Sequence, residues 1–102
     1  MIVEQIRYFA AEGDVEELIR LRRDIDAVRQ SLQLPPGRIL IADPVVDDVP
    51  AVVWQCVYDD EGDLGEVEAR LIGNEAYEAA RGRVVDIAQR IELELYTADH
   101  GS

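Results

Sequence analysis

The chain has 102 residues, enough for one domain and too few for a second core. Hydrophobic residues make up 48% of it, as in a globular protein rather than a disordered one. The formal net charge is −12 and all ten basic residues are arginine, so the surface repels phosphate backbones and anionic lipid, which argues against nucleic-acid and membrane partners.

The first stretch, "IVEQIRYFA" (2–10), alternates as a strand, with Ile2, Glu4, Ile6 and Tyr8 on one side and Val3, Gln5, Arg7 and Phe9 on the other. "AEGD" breaks it. Asp14 followed by Glu17 has the spacing of a capping box, which starts a helix near Val15. Val15, Leu18, Ile19, Arg22, Ile25, Val28 and Leu32 recur at helical spacing; their apolar members form the buried stripe, and the arginines and acids are expected to cover the rest. "LPPG" (34–37) ends that helix. "RILIA" (38–42) is a short strand, "DPVVDDVP" a turn-rich connection, and "AVVWQCVYD" (51–59) a stronger strand. Asp63 with Glu66 repeats the capping spacing; Leu64, Val67, Leu71 and Ile72 then make a short helix that Gly73 stops. Asn74 caps a further helix from Glu75, with Tyr77, Ala80, Val84, Ile87 and Ala88 on its buried side. "RIELELYT" (90–97) alternates cleanly and is the last strand. The order is β-α-β-β-α-β, the split βαβ or ferredoxin-like pattern, an α+β fold with a four-stranded antiparallel sheet. Residues 1–97 read as the domain and 98–102 as a C-terminal tail.

The residue inventory narrows the chemistry. Without lysine there is no Schiff-base catalysis. The single histidine, His100, falls in the tail, which removes Ser-His-Asp and Cys-His arrangements from one chain and a zinc site of ordinary ligand type. The glycines fit neither GxGxxG nor a P-loop. The acidic run Asp59, Asp60, Glu61 and Asp63 lacks the spacing of a calcium loop and reads as a solvated turn with a helix cap. Neither a metal nor a cofactor is therefore expected. The first residues lack a basic segment followed by a long apolar stretch, and no apolar run is long enough to span a bilayer, so a cytoplasmic location is expected.

The two faces of such a sheet differ. Ile6, Trp54, Cys56, Ile91, Leu93 and Leu95 form the more apolar set and are expected to meet the helices. The other face carries Val3, Gln5, Arg7, Phe9, Val53, Gln55, Val57, Glu92 and Glu94, too apolar for ordinary solvated surface and too polar for a dry core. A face of that kind suits contact with another subunit. Gln5, Arg7, Gln55, Glu92 and Glu94 are the expected dimer-interface residues, with Arg7 offsetting the acids.

The opening "MIVEQIRYFAAEGDVEELIRL" resembles the start of NIPSNAP-like members of the dimeric α+β barrel superfamily: a strand, a short acidic or glycine-bearing turn, and a long helix. "DLGEVEARLIGNEAYEAARGRVVDIAQRIELELY" resembles the broken helix and final strand of those proteins, with Asn74, Glu75 and Tyr77 opening the second segment. The resemblance implies a homodimer whose two sheets face each other in a barrel, each subunit keeping a cleft between its own sheet and helices. The superfamily includes haem-degrading and cofactor-free monooxygenases, lactone isomerases, polyketide cyclases and dye-type peroxidases. This chain has no helix histidine of the haem-degrading kind and no His-Tyr pair of the cyclase kind. Of the strand Asn and nearby Trp of the monooxygenases it keeps only Trp54, since Asn74 reads as a cap.

Trp54, Cys56 and Tyr58 alternate onto the helix-facing side, so Trp54 is expected to be buried and Cys56 inaccessible. A ligand site, if the chain has one, belongs beside Trp54 and Tyr58, bounded by Tyr8 and Tyr77, with the phenolic hydroxyls at the cleft rim. The expected function is that of a small-molecule enzyme or binder, of cofactor-free monooxygenase, isomerase or cyclase type, acting on an apolar or aromatic compound in that cleft. The alternative is a non-catalytic dimeric module that works through protein contacts; a cleft closed by Trp54 and Tyr77 would favour it.

Overall fold

β1 (Ile2–Phe9) is an inner strand of a four-stranded antiparallel sheet of order β2-β3-β1-β4, in a computed structural model that describes residues 1–98. It pairs with β3 (Val52–Tyr58) in the register Ile6↔Trp54 and with β4 (Arg90–Thr97) in the register Ile6↔Leu93. β2 (Gly37–Ile41) lies at the edge beside β3, with Ile39 opposite Trp54. This is the strand order that β-α-β-β-α-β connectivity calls for. The helices are α1 (Val15–Ser31), α2 (Glu61–Leu71) and α3 (Glu75–Ile87).

Alternation decides which side of the sheet the helices cover. Ile2, Tyr8, Val52, Trp54, Cys56 and Tyr58 share one buried cluster with Leu18, Leu21 and Ile25 of α1, Leu64 and Val67 of α2, and Ala80 and Val84 of α3. The odd-numbered residues of β1 point to the other face, which carries no helix. The molecule is accordingly a slab, 40 × 38 × 17 Å, about the thickness of one sheet plus one helical layer. No helix is long and apolar enough to cross a membrane among the described residues.

Several local expectations shift. Asp14 makes no side-chain cap; a 3-10 turn, Glu12–Asp14, leads into α1, and Glu17 pairs with Arg20. α1 ends before the prolines are reached, because Gln33 takes a left-handed φ of 57° and Leu34 N–H returns to the Arg29 carbonyl at 3.0 Å. The cap of α2 is Asp60 rather than Asp63: its carboxylate accepts from the Asp63 backbone N–H at 2.9 Å, so the helix starts one turn earlier. Ile72 falls past the end of α2 and is exposed. Asn74 does cap α3, accepting from Tyr77 N–H at 3.0 Å, and Gly73 before it has a φ of 84°.

Two departures matter for function. The helix-facing residues of β4 were expected in the core, but Ile91, Leu93 and Leu95 are 38%, 57% and 53% exposed. α3 packs against α1, which leaves the β4 side of the sheet open. The second departure is in α1. Its buried positions include Val15, Leu18, Leu21, Arg22, Ile25 and Arg29, so two arginines lie on the inward stripe instead of the solvent face.

Candidate functional site

A cavity of about 480 Å³ lies between the sheet and the helices. Its outer part is mixed: Ile72, Val85, Ile91 and Leu93 line it and are exposed, beside exposed Glu68, Glu78 and Arg81. Its inner part holds Trp54, Tyr8, Tyr58, Glu4, Arg22 and Arg29, all buried. Tyr77, half-buried at the start of α3, also lines it.

Trp54 is 1% exposed and lies with its indole against Gly37 of β2. Both buried arginines of α1 converge on it. The Arg22 guanidinium carbon is 3.9 Å from the ring centroid and that of Arg29 is 4.8 Å away, within cation–π distance. Seven residues are two helical turns, so positions 22 and 29 present the same side of α1 to the same ring. Arg22 donates to the Tyr8 hydroxyl at 3.0 Å and to Asp26 at 3.1 Å. Arg29 donates to the Pro35 carbonyl at 2.9 Å, to the Tyr58 hydroxyl at 3.0 Å and to Cys56 Sγ at 3.4 Å. The Tyr58 hydroxyl in turn donates to Glu4 Oε1 at 2.9 Å. Arg29, Tyr58 and Glu4 thus form a buried relay in which cation and carboxylate are joined through a phenol. No carboxylate touches Arg29 directly among the described residues.

The chemistry follows from this arrangement. Tyr8 is held above the usual tyrosine range, chiefly by burial, with Arg22 pulling the other way. Tyr58 is pushed up as well, by burial first and then by Cys56 and Glu4. Both phenols therefore stay protonated at neutral pH and serve as donors. Glu4 is the one carboxylate at the inner end of the cavity, placed to accept a proton. The inner end also has more donors than acceptors. Each guanidinium carries five N–H groups; Arg22 Nε, Arg29 Nε and the Trp54 indole N–H find no acceptor among the described residues.

Tyr8, Trp54, Tyr58 and Tyr77, the residues picked from sequence, all line this one cavity. Their hydroxyls are not all at the rim, however. Those of Tyr8 and Tyr58 are inside, because strand alternation points them under α1, where Arg22 and Arg29 meet them. The sequence reading missed Glu4, Arg22 and Arg29. The signal for the arginines was present: 15, 18, 22, 25 and 29 continue one three–four spacing, and two arginines occupy it. Glu4 shares its side of β1 with Ile2, Ile6 and Tyr8, an acid within an apolar alternation.

The acidic turn is absorbed by the Asp60 cap, and no group of three or more His, Cys, Asp or Glu side chains among the described residues is arranged to hold a metal ion. His100 lies outside the described residues. Gln5, Arg7, Gln55, Glu92 and Glu94 lie together on the helix-free face. Gln55 donates to Gln5 at 2.7 Å and Arg7 to Glu92 at 2.5 Å. Arg7 Nε lies 2.9 Å from Glu94 Oε1, close enough for charge attraction though not aligned as a hydrogen bond. Around this network Leu40, Val57 and Tyr96 are exposed.

Solved structures share this architecture. An uncharacterized NIPSNAP domain protein from Burkholderia xenovorans superposes with a TM-score of 0.77 at 21% identity, covering 100% of this chain and 98% of that one. An antibiotic biosynthesis monooxygenase superposes at 0.71 and 12% identity, covering 97% and 99%. A dimeric ferredoxin-like protein of unknown function from Jannaschia sp. CCS1 superposes at 0.70 and 12% identity, covering 95% and 98%. No protein-family model matches the chain, and no curated protein matches it by sequence. At these identities the likeness is one of fold: the chain has a NIPSNAP-like, ferredoxin-like α+β fold.

Proposed function

We propose that this protein binds an apolar or aromatic small molecule in the cleft between its sheet and helices, and acts on it as an enzyme of the monooxygenase, isomerase or cyclase kind. The observation that carries this reading is the cavity of about 480 Å³, with exposed apolar side chains at its mouth, an aromatic wall and buried polar groups at its inner end. That is the usual composition of a small-molecule site. Tyr8 would donate a proton and Glu4, linked to Tyr58, would accept one, which suits acid–base steps on a carbonyl or phenol. The likeness to an antibiotic biosynthesis monooxygenase supports a small-molecule role through the fold alone. The reading includes a homodimer joined through the helix-free sheet face and working in the cytoplasm. A non-catalytic dimeric module fits less well, because Trp54 and Tyr77 line the cleft without filling it.

Native mass spectrometry of the protein as purified tests the reading. A small-molecule adduct is expected on the wild type and should be absent from Leu93→Trp, which places a large ring at the mouth on an already exposed position. An adduct retained equally by both proteins, or absent from both, would count against the cleft.

A further inference from the structure

The cleft is directional, and its two ends call for different chemistry. The mouth offers Ile72, Val85, Ile91 and Leu93, exposed apolar surface that suits a hydrophobic body. The inner end offers two guanidiniums, each 4% exposed, stacked on one indole. Charge is balanced there only loosely. Glu4 is tied to Arg29 through Tyr58, but Arg22 has Asp26 as its carboxylate partner. That acid is 28% exposed, lies one helical turn along from Arg22 and does not line the cavity, so the pair is only weakly held. The Tyr8 hydroxyl accepts from Arg22 and donates to no described residue. A buried guanidinium whose Nε–H has no acceptor among the described residues, with a free phenol beside it and both residues lining the cavity, suits two acceptor oxygens. Further out, Glu68 and Glu78 line the cavity against the single Arg81, which disfavours a second negative charge on the ligand.

We infer that the cleft takes a monocarboxylic acid with an uncharged apolar or aromatic body, its carboxylate innermost against Arg22 and Tyr8. This names the ligand class of the site proposed above and rests on that reading.

The only tryptophan in the chain is the reporter. Trp54 fluorescence is titrated with 3-phenylpropionate and with its neutral counterpart 3-phenylpropan-1-ol. The acid should bind at least about tenfold more tightly than the alcohol. Arg22→Gln should bring that ratio to about one, with far-UV circular dichroism reporting that the variant is folded. Tyr8→Phe removes only the hydroxyl and should lower the ratio severalfold, a second route if Arg22→Gln does not fold. Equal affinity for acid and alcohol, or an acid preference unchanged in both variants, overturns the carboxylate inference and leaves the small-molecule cleft standing. Failure of both compounds to bind the wild type overturns the two together.

Discussion

Gly37 lies so close to Trp54 that a Cβ on it would come within 2.3 Å of Cε2 and 2.4 Å of Cζ2 and Nε1 of the indole. The edge strand thus begins at a residue chosen for the ring beneath it. Gly37→Ala should overpack this contact and cost about 1–3 kcal/mol. In a Trp54→Phe background the smaller ring makes room, and the cost should fall to a few tenths. Urea unfolding midpoints of the four proteins in the cycle give both values. Equal losses in the two backgrounds would show that the glycine serves the backbone and not the indole. Trp54→Ala is a poor substitute for Trp54→Phe, since it removes a fully buried ring at about 3–5 kcal/mol.

Cys56 is 2% exposed, and its thiol faces the Pro35 and Pro36 carbonyls at 3.7 and 3.6 Å, with Arg29 beside the sulfur. A bulky maleimide should react at least about a hundredfold more slowly with native than with urea-unfolded protein. The native rate should rise with denaturant, because the sheet and α1 must part before the reagent enters. Fast labelling that ignores denaturant would place the sulfur outside the core.

Tyr8 and Tyr58 have pKa values raised above 10.0, the value for a free tyrosine. The native state holds protons that the unfolded chain releases. Their contribution to stability is therefore fully present below pH ~10 and is lost as pH climbs past that value towards the folded pKa values. Urea midpoints should decline above pH 10, and absorbance at 295 nm should show fewer than the four tyrosines ionising while the protein stays folded. Ionisation of all four near pH 10 with the fold intact would contradict the buried assignment.

Arg7 is flanked by Glu92 and Glu94 on the face proposed to join two copies. Arg7→Glu puts three acids side by side there and should shift light scattering from dimer towards monomer, more so at low salt. A wild-type monomer at micromolar concentration would remove the premise.

Strand and helix order was legible because alternation and helical spacing were strong in every element. Boundaries moved where short-range chemistry competed: Asp60 and Asp63 are both acids near the start of one helix, and only the backbone turn decides which of them caps it. The aromatic members of the site were legible for the same reason as the core, since Tyr8, Trp54 and Tyr58 alternate onto the helix-facing side. The charged members were not. A rule that sends arginine to solvent fails at Arg22 and Arg29, where an indole face and two phenols take the place of water. The exposed side of β4 was missed because its alternation shows an apolar face without showing whether a helix reaches it; α3 leans on α1 instead.

The position of β1 has a consequence for how the chain reaches this state. Both its neighbours in the sheet come from later in the chain: Ile6 meets Trp54 and Leu93, closing loops of roughly 50 and 90 residues. Closing loops of that size is unrewarded until the strands pair, so β1 waits while α1, whose bonds are local, can form early. During synthesis the side of β1 that β4 will occupy has no partner until the last strand has emerged. Folding is therefore expected to be slow for a domain of this size, on the millisecond-to-second scale, and limited by arrival of the C-terminal strand rather than by helix formation.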